Sequence, residues 1–198
     1  MNQLRYSNNY TTLTRNELIQ AVQSQMSQKR FQHVLGVEQT AVELAEKYGA
    51  SNEAASIAAL THDYAKERSD KEMQELIYRE QFDLELLEYG SNIWHGPLGA
   101  FLVEQELGIS DSDILNAIKY HTIGAPEMTI LEQVIYVADY IEPGRNFPSV
   151  EKARKIAAEN LQAAVQYETK QTLQHLIGKN RKIYPKTIAT YNKWVANP

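Results

Sequence analysis

The sequence contains no cysteine. That absence removes disulfides, zinc–thiolate sites and thiol nucleophiles together, so any metal must be held by histidine and carboxylate. Histidine is itself scarce, with five in 198 residues, and each position therefore carries information. No apolar run approaches the length of a membrane span, and the N-terminus lacks the apolar core of a signal peptide. A cytoplasmic protein with no membrane partner is expected. Basic residues are outnumbered, giving a formal charge of −5. This argues against a general nucleic-acid coat while leaving room for a local basic pocket. Strand-like alternation of useful length is missing, as are internal repeats and low-complexity tracts.

What is present reads as helix. The hydrophobic share of 43% is that of an ordinary globular protein, and the length suits one domain with a substantial core. Residues 1–13 are polar and read as a loose arm, with the domain spanning 14–198. Thr14 and Glu17 have the form of a capping box. Val34, Val37, Ala41, Leu44, Ala45 and Tyr48 mark one face of a helix over 30–48, with Gly49 placed to end it. Ser51 or Asn52, Ser69, and Asp111 or Ser112 are further caps. Gly96 and Pro97 suit a helix entry. The acidic stretch 79–92 reads as short helical pieces and loop, able to serve as a lid. Two helices are expected over about 150–166 and 168–177, and a last one over 184–195. The fold class is an all-α bundle of about ten helices, because apolar faces recur at helical spacing between short loops.

The chain is organised around Leu60-Thr61-His62-Asp63-Tyr64-Ala65-Lys66. His62 and Asp63 end an alanine-rich apolar run that predicts a closely packed helix. Burying a carboxylate beside an imidazole is costly unless a cation or hydrogen bonds compensate. A metal ion would do so, since both groups are good ligands for Zn, Mn and Fe. An ordinary capping pair is the bland alternative. His33 adjoins the apolar stripe of its helix. His95 stands at a helix entry, and His121 at a helix C-terminus, where a cationic ring is favoured in any case. Asp139 closes an apolar run as Asp63 does. His175 has no acidic or histidine companion and reads as ordinary.

Each residue alone has a structural explanation. Together His33, His62, His95, His121, Asp63 and Asp139 fall at the ends or inner faces of separate helices. Six N/O ligands exceed what one catalytic ion needs while keeping open positions, which points to two ions with a carboxylate such as Asp63 between them. Paired ions about 3.5–4 Å apart activate a water and clamp a phosphoryl oxygen.

This order of His, His-Asp, His, His and Asp resembles the HD-domain superfamily of metal-dependent phosphohydrolases. Arg30-Phe31-Gln32-His33-Val34, the 60–66 stretch, Trp94-His95-Gly96-Pro97, Tyr120-His121-Thr122 and Ala138-Asp139-Tyr140-Ile141-Glu142-Pro143-Gly144-Arg145 resemble the bacterial YqeK family of symmetrical bis(5'-nucleosyl)-tetraphosphatases. The resemblance runs from about Thr14 to Trp194. It implies cleavage of diadenosine tetraphosphate, or a related dinucleoside tetraphosphate, to two ADP by a metal-bridged hydroxide. It also implies a di-iron centre, with Mn, Zn, Co or Ni as alternatives, and a homodimer. The six residues above would be the ligands, with Asp63 and Lys66 catalytic. Lys66, Arg145, Arg30 and Thr122 would meet the substrate, the bases because they can neutralise phosphate. Another phosphohydrolase of the same superfamily, a nucleotidase or a guanosine-tetraphosphate hydrolase, and a non-catalytic nucleotide-binding module are the competing readings.

Overall fold

A computed structural model describes residues 4–196. Among these, eleven α-helices and no strands form the chain. α1 covers Arg15–Gln23, α2 Gln28–Tyr48, α3 Asn52–Thr61 and α4 Asp70–Arg79. A 3-10 turn, Leu84–Glu88, leads to the short α5, Ser91–Trp94, then α6, Pro97–Leu107, and α7, Ser112–Tyr120. α8 spans Ile130–Ile141, α9 Val150–Ala157, α10 Leu161–Gly178 and α11 Pro185–Tyr191, followed by a π turn over Asn192–Ala196.

The helix starts follow local chemistry. Thr14 and Glu17 make the reciprocal capping box. Ser27, Ser51, Ser69, Asp111 and Thr129 each accept a backbone N–H in the first turn of the helix that follows. Gly49 ends α2 at φ 80°, a conformation that favours glycine.

Two expectations need correction. The helix expected over about 150–166 stops at Ala157, and the next runs unbroken from Leu161. Asn160 caps it, accepting from the Ala163 N–H at 2.9 Å. Leu161, Ala164, Val165, Glu168, Thr169 and Leu173 then form one buried face across the supposed break, so tertiary burial holds that stretch as a single helix. The arm is also tied down at Tyr6 and Ser7, with Met1–Gln3 outside the described residues. Tyr6 Oη lies 2.8 Å from Ser56 Oγ, and the Ser7 N–H and hydroxyl donate to Glu53. The 79–92 stretch is anchored by buried Leu86 and Trp94, and the Trp94 indole donates to the Leu86 carbonyl.

α2 packs along α3 and α8, and α7 closes against α3, α6 and α8. α3 is buried from Ala54 to Thr61. Its four alanines let neighbouring helices approach closely, which carries the residues after Thr61 into the middle of the bundle. α8 is buried from Leu131 to Ala138. Gly96 has a packing reason: a β-carbon there would sit 2.7 Å from the Lys119 carbonyl oxygen. The α5–α6 junction can thus touch the end of α7, which brings His95 opposite His121.

One buried acid on α8 marks a cost. Burial, and then the nearby Asp113 carboxylate, push the Glu132 carboxyl up to about 7. The folded chain then holds a proton that the unfolded chain releases near the ordinary carboxylate value. Stability on this account falls as pH rises between those two values and stays reduced above the higher one. Glu132→Gln should therefore stabilise the fold by about 1 kcal/mol near neutral and alkaline pH, read as a higher melting temperature, and match the parent below about pH 4.5. Thermal melts of both proteins across pH are the check; a pH-independent difference would place the effect elsewhere.

Candidate metal centre

Five segments deliver side chains to one point. His33 comes from the middle of α2. His62 is the residue that ends α3, and Asp63 follows it. His95 ends α5, His121 ends α7, and Asp139 lies in the last turn of α8. His62, Asp63, His95 and His121 are buried, while His33 and Asp139 are half-buried. The rings interlock edge-on, with centroids 5.5 Å apart for His33 and His62, 5.0 Å for His62 and His121, and 4.8 Å for His95 and His121.

The imidazoles are oriented from behind. His62 Nδ1 donates to the Ala59 carbonyl at 2.6 Å, His95 Nδ1 to Ser91 at 2.9 Å and His121 Nδ1 to Ile118 at 2.6 Å. His33 Nδ1 donates to Glu142 Oε1 at 3.1 Å. Each Nδ1 thus carries the proton, and each Nε2 presents a lone pair inward. His33 Nε2 and His62 Nε2 are buried without a hydrogen-bond partner. His95 Nε2 and His121 Nε2 face one another at 3.0 Å. Two lone pairs at that separation repel unless a cation lies near both.

Asp63 divides the cluster. Its Oδ1 lies 3.4 Å from His95 Nε2 and 3.8 Å from His121 Nε2. Its Oδ2 lies 3.5 Å from His62 Nε2 and 3.7 Å from His33 Nε2. Asp139 Oδ1 is 3.0 Å from His33 Nε2. Two groups have ligand atoms within 4.8 Å of one another: His33, His62 and Asp139, and His62, Asp63 and His121. His95 adjoins the second through Asp63 and His121. The donor set, all imidazole and carboxylate with inward lone pairs, fits divalent metal ions.

Electrostatics agree with that fit. Burial, with neighbouring cationic groups adding to it, holds His95 at about 3 and His121 at about 4, so both rings remain neutral near neutral pH. His62 goes the other way. Burial lowers it, but Asp63 and then Asp139 outweigh burial and raise it. The two carboxylates thus favour a positive charge at the centre of the cluster.

The expected substrate residues stand on the rim. Arg30 Nη1 is 2.8 Å from Asp63 Oδ2. The Arg145 guanidinium pairs with Asp139 Oδ1, and its Nε donates to the Asp139 carbonyl at 2.8 Å. Lys66 Nζ lies 3.4 Å from the His95 ring nitrogens. Burial lowers its pKa against the pull of Asp63. Thr122 Oγ1 is 3.1 Å from His121 Nε2 and 3.2 Å from His95 Nε2. His175, read as ordinary, is exposed in the last turn of α10.

An HD domain model matches residues 30–144. The chain is 47% identical over 185 residues to the Bacillus subtilis symmetrical bis(5'-nucleosyl)-tetraphosphatase, covering 93% of this chain and 99% of that one. The chain belongs to the HD-domain family, in the branch of the symmetrical bis(5'-nucleosyl)-tetraphosphatases. The Staphylococcus aureus protein of the same name is 39% identical, over 84% of this chain and 87% of its own. A Clostridium acetobutylicum crystal structure, described as an HD superfamily hydrolase involved in NAD metabolism, superposes with a TM-score of 0.84 at 36% identity. It covers 92% of this chain and 97% of that one.

One residue of this HD-domain site carried no role in the sequence reading. Glu142 lies one turn beyond Asp139 and is buried. It accepts from His33 Nδ1 and from the Gly144 N–H. A β-carbon on Gly36 would meet Glu142 Oε2 at 2.6 Å, and one on Gly144 would meet it at 2.9 Å. The available signals were the three-residue spacing from Asp139 and the Pro-Gly turn behind it. Glu142→Ala should weaken divalent-metal affinity by about 10–100-fold while leaving the helical content intact. Calorimetric titration of metal into stripped protein, with circular dichroism alongside, measures both; unchanged affinity would make Glu142 a packing residue only.

Proposed function

We propose that this chain hydrolyses dinucleoside tetraphosphates symmetrically, taking diadenosine tetraphosphate and water to two ADP. The observation that carries this reading is the split of Asp63, with one oxygen toward His95 and His121 and the other toward His33 and His62. That geometry suits a carboxylate between two transition-metal ions. His33, His62 and Asp139 would hold one ion, and His95 and His121 the other, with iron the metal expected from the family resemblance. Ions bound there supply positive charge for phosphoryl oxygens and activate a water.

The protein's own groups do the positioning. The backbone carbonyls and Glu142 hold the rings, so ligand geometry needs no rearrangement as substrate enters. Lys66, half-buried beside His95 and with no ion pair among the described residues, keeps its ammonium available for a non-bridging phosphate oxygen. Arg30 and Arg145 flank the carboxylates and offer planar forks to the flanking phosphates. Thr122 offers a hydroxyl beside His121. The water oxygen forms a bond to the second phosphorus, the central anhydride bond breaks, and the anhydride oxygen leaves with the other ADP. His95 and His121, neutral near pH 7, do not compete with the substrate for protons.

The direct test is a product assay on metal-replete protein. ADP as the sole nucleotide product from diadenosine tetraphosphate is expected, with slower turnover of mononucleotides and guanosine tetraphosphate. ATP plus AMP, or preferential cleavage of either comparison substrate, would refute the assignment. Elemental analysis should return close to two ions per chain, about two by the number of ligands. Asp63→Ala should lose metal and activity together, whereas His175→Ala should lose neither.

Lys66→Ala and Arg145→Ala should keep full metal content. Each should lose about 1–3 kcal/mol of transition-state stabilisation, the size of a charged hydrogen bond. The deficit in kcat/KM should be larger for the tetraphosphate than for a mononucleotide. Variants that shed metal instead would identify these bases as supports of the ligand carboxylates.

A further inference from the structure

Pro143 ends α8 and strands its last carbonyls. A continuing helix would send the N–H groups of residues 143–145 back to Asp139, Tyr140 and Ile141. Pro143 has no N–H. Gly144 donates instead to the Glu142 carboxylate, and the Arg145 N–H donates to the Glu142 carbonyl at 3.0 Å. Two guanidinium groups take over. Arg145 Nε donates to the Asp139 carbonyl. Arg154, from α9, donates through Nε to the Ile141 carbonyl at 2.9 Å. Its Nη2 donates to the Glu142 carbonyl at 2.7 Å and to the Arg145 carbonyl at 3.0 Å. One side chain thus grips both ends of the 141–145 turn.

α9 is a firm base for that grip. Val150, Ala153 and Ala157 are buried on one face of it. Tyr140 of α8 meets the approach to α9 twice. Its hydroxyl lies 2.8 Å from Ser149 Oγ, and its ring centroid lies 4.9 Å from that of Phe147. The remaining nitrogen of Arg154 pairs with Glu151, one turn earlier on α9. A planar guanidinium suits the position, because its fixed fork reaches several carbonyls at once. A cation there also meets the negative end of α8.

The gripped turn carries two working side chains. Glu142 orients the His33 ring, and Arg145 pairs with Asp139 on the rim of the metal centre. Both hang from backbone that Arg154 fixes. Among the described residues, Arg154 hydrogen-bonds only to the three carbonyls and to Glu151. Any influence it has on the site therefore passes through the turn.

We propose that Arg154 is a positioning residue: acting through the 141–145 backbone, it holds Glu142 against His33 and aims Arg145 at the substrate phosphates. The part played through Arg145 rests on the substrate reading given above. The part played through Glu142 rests on metal binding alone.

Titration of Mn²⁺ into stripped Arg154→Ala, with circular dichroism alongside, tests the second part. Affinity should fall about tenfold with helical content retained. The double variant Glu142→Ala with Arg154→Ala should bind no more weakly than Glu142→Ala alone, because both changes act on the same ring. At saturating metal, Arg154→Ala should raise KM for diadenosine tetraphosphate about fivefold, with a smaller change in kcat. Guanidinium chloride well below denaturing concentration should restore both affinity and KM, and sodium chloride at equal ionic strength should not. A fold that had merely been weakened would be weakened further by guanidinium. Arg154→Lys keeps the charge without the fork and should show the same deficits; it replaces Arg154→Ala should that variant fail to fold. Glu151→Gln should match the parent. Unchanged metal affinity, additive losses in the double variant, absence of guanidinium rescue, or the same deficits in Glu151→Gln would overturn the role of Arg154. Weaker metal binding with guanidinium rescue, in a chain that does not hydrolyse diadenosine tetraphosphate, would uphold that role and overturn the substrate assignment.

Discussion

Asp63 places a carboxylate at the centre of the bundle, nearly out of contact with water. A charge in that position is costly unless surrounding groups compensate. Burial pushes its carboxyl up, yet His62, followed by His95 and His121, holds it well below the usual carboxylate range. The compensation comes from different segments of the chain, and that is why the rest of the architecture matters. The alanines of α3 let its neighbours close in, Gly96 lets the α5–α6 junction meet α7, and α2 brings His33 and Arg30 from the other side.

The histidines show the same economy. Three of them spend Nδ1 on the carbonyl three or four residues earlier in their own helix, so helical geometry alone sets the ring and its tautomer. His33 sits in mid-helix, where those carbonyls are already used by the backbone ladder. It takes its anchor from Glu142 instead, on a different segment. The result is four lone pairs and two carboxylates aimed at one volume with few partners among themselves. Such an arrangement is stable only because the helices behind it are tightly packed, and it is suited to cations.

Around this core the charge is graded. The interior is anionic at buried Asp63 and half-buried Asp139, and the rim is cationic at Arg30, Lys66 and Arg145. A chain with an overall negative charge thus presents local positive charge at its cleft. This is the pattern expected where a polyanion meets metal ions, and it needs no general basic surface.

Much of this was readable along the chain. Capping residues, helical periodicity and the Gly49 stop act within a few residues of where they occur, so they declared most helix starts and the all-α class. The absence of cysteine restricted the ligands to imidazole and carboxylate, and the scarcity of histidine made their pattern conspicuous. Other features depended on contacts that no local signal encodes. The Asn160 start of α10 was hidden because one buried face runs on through the stretch where a break had been expected. Glu142 and His33 lie 109 positions apart, and only the packing of α2 against α8 makes one the anchor of the other. Which Asp63 oxygen faces which pair of rings likewise arises from how whole helices close on one another. The sequence by itself determined the helices and the kind of ligand; the tertiary structure decided which atoms meet.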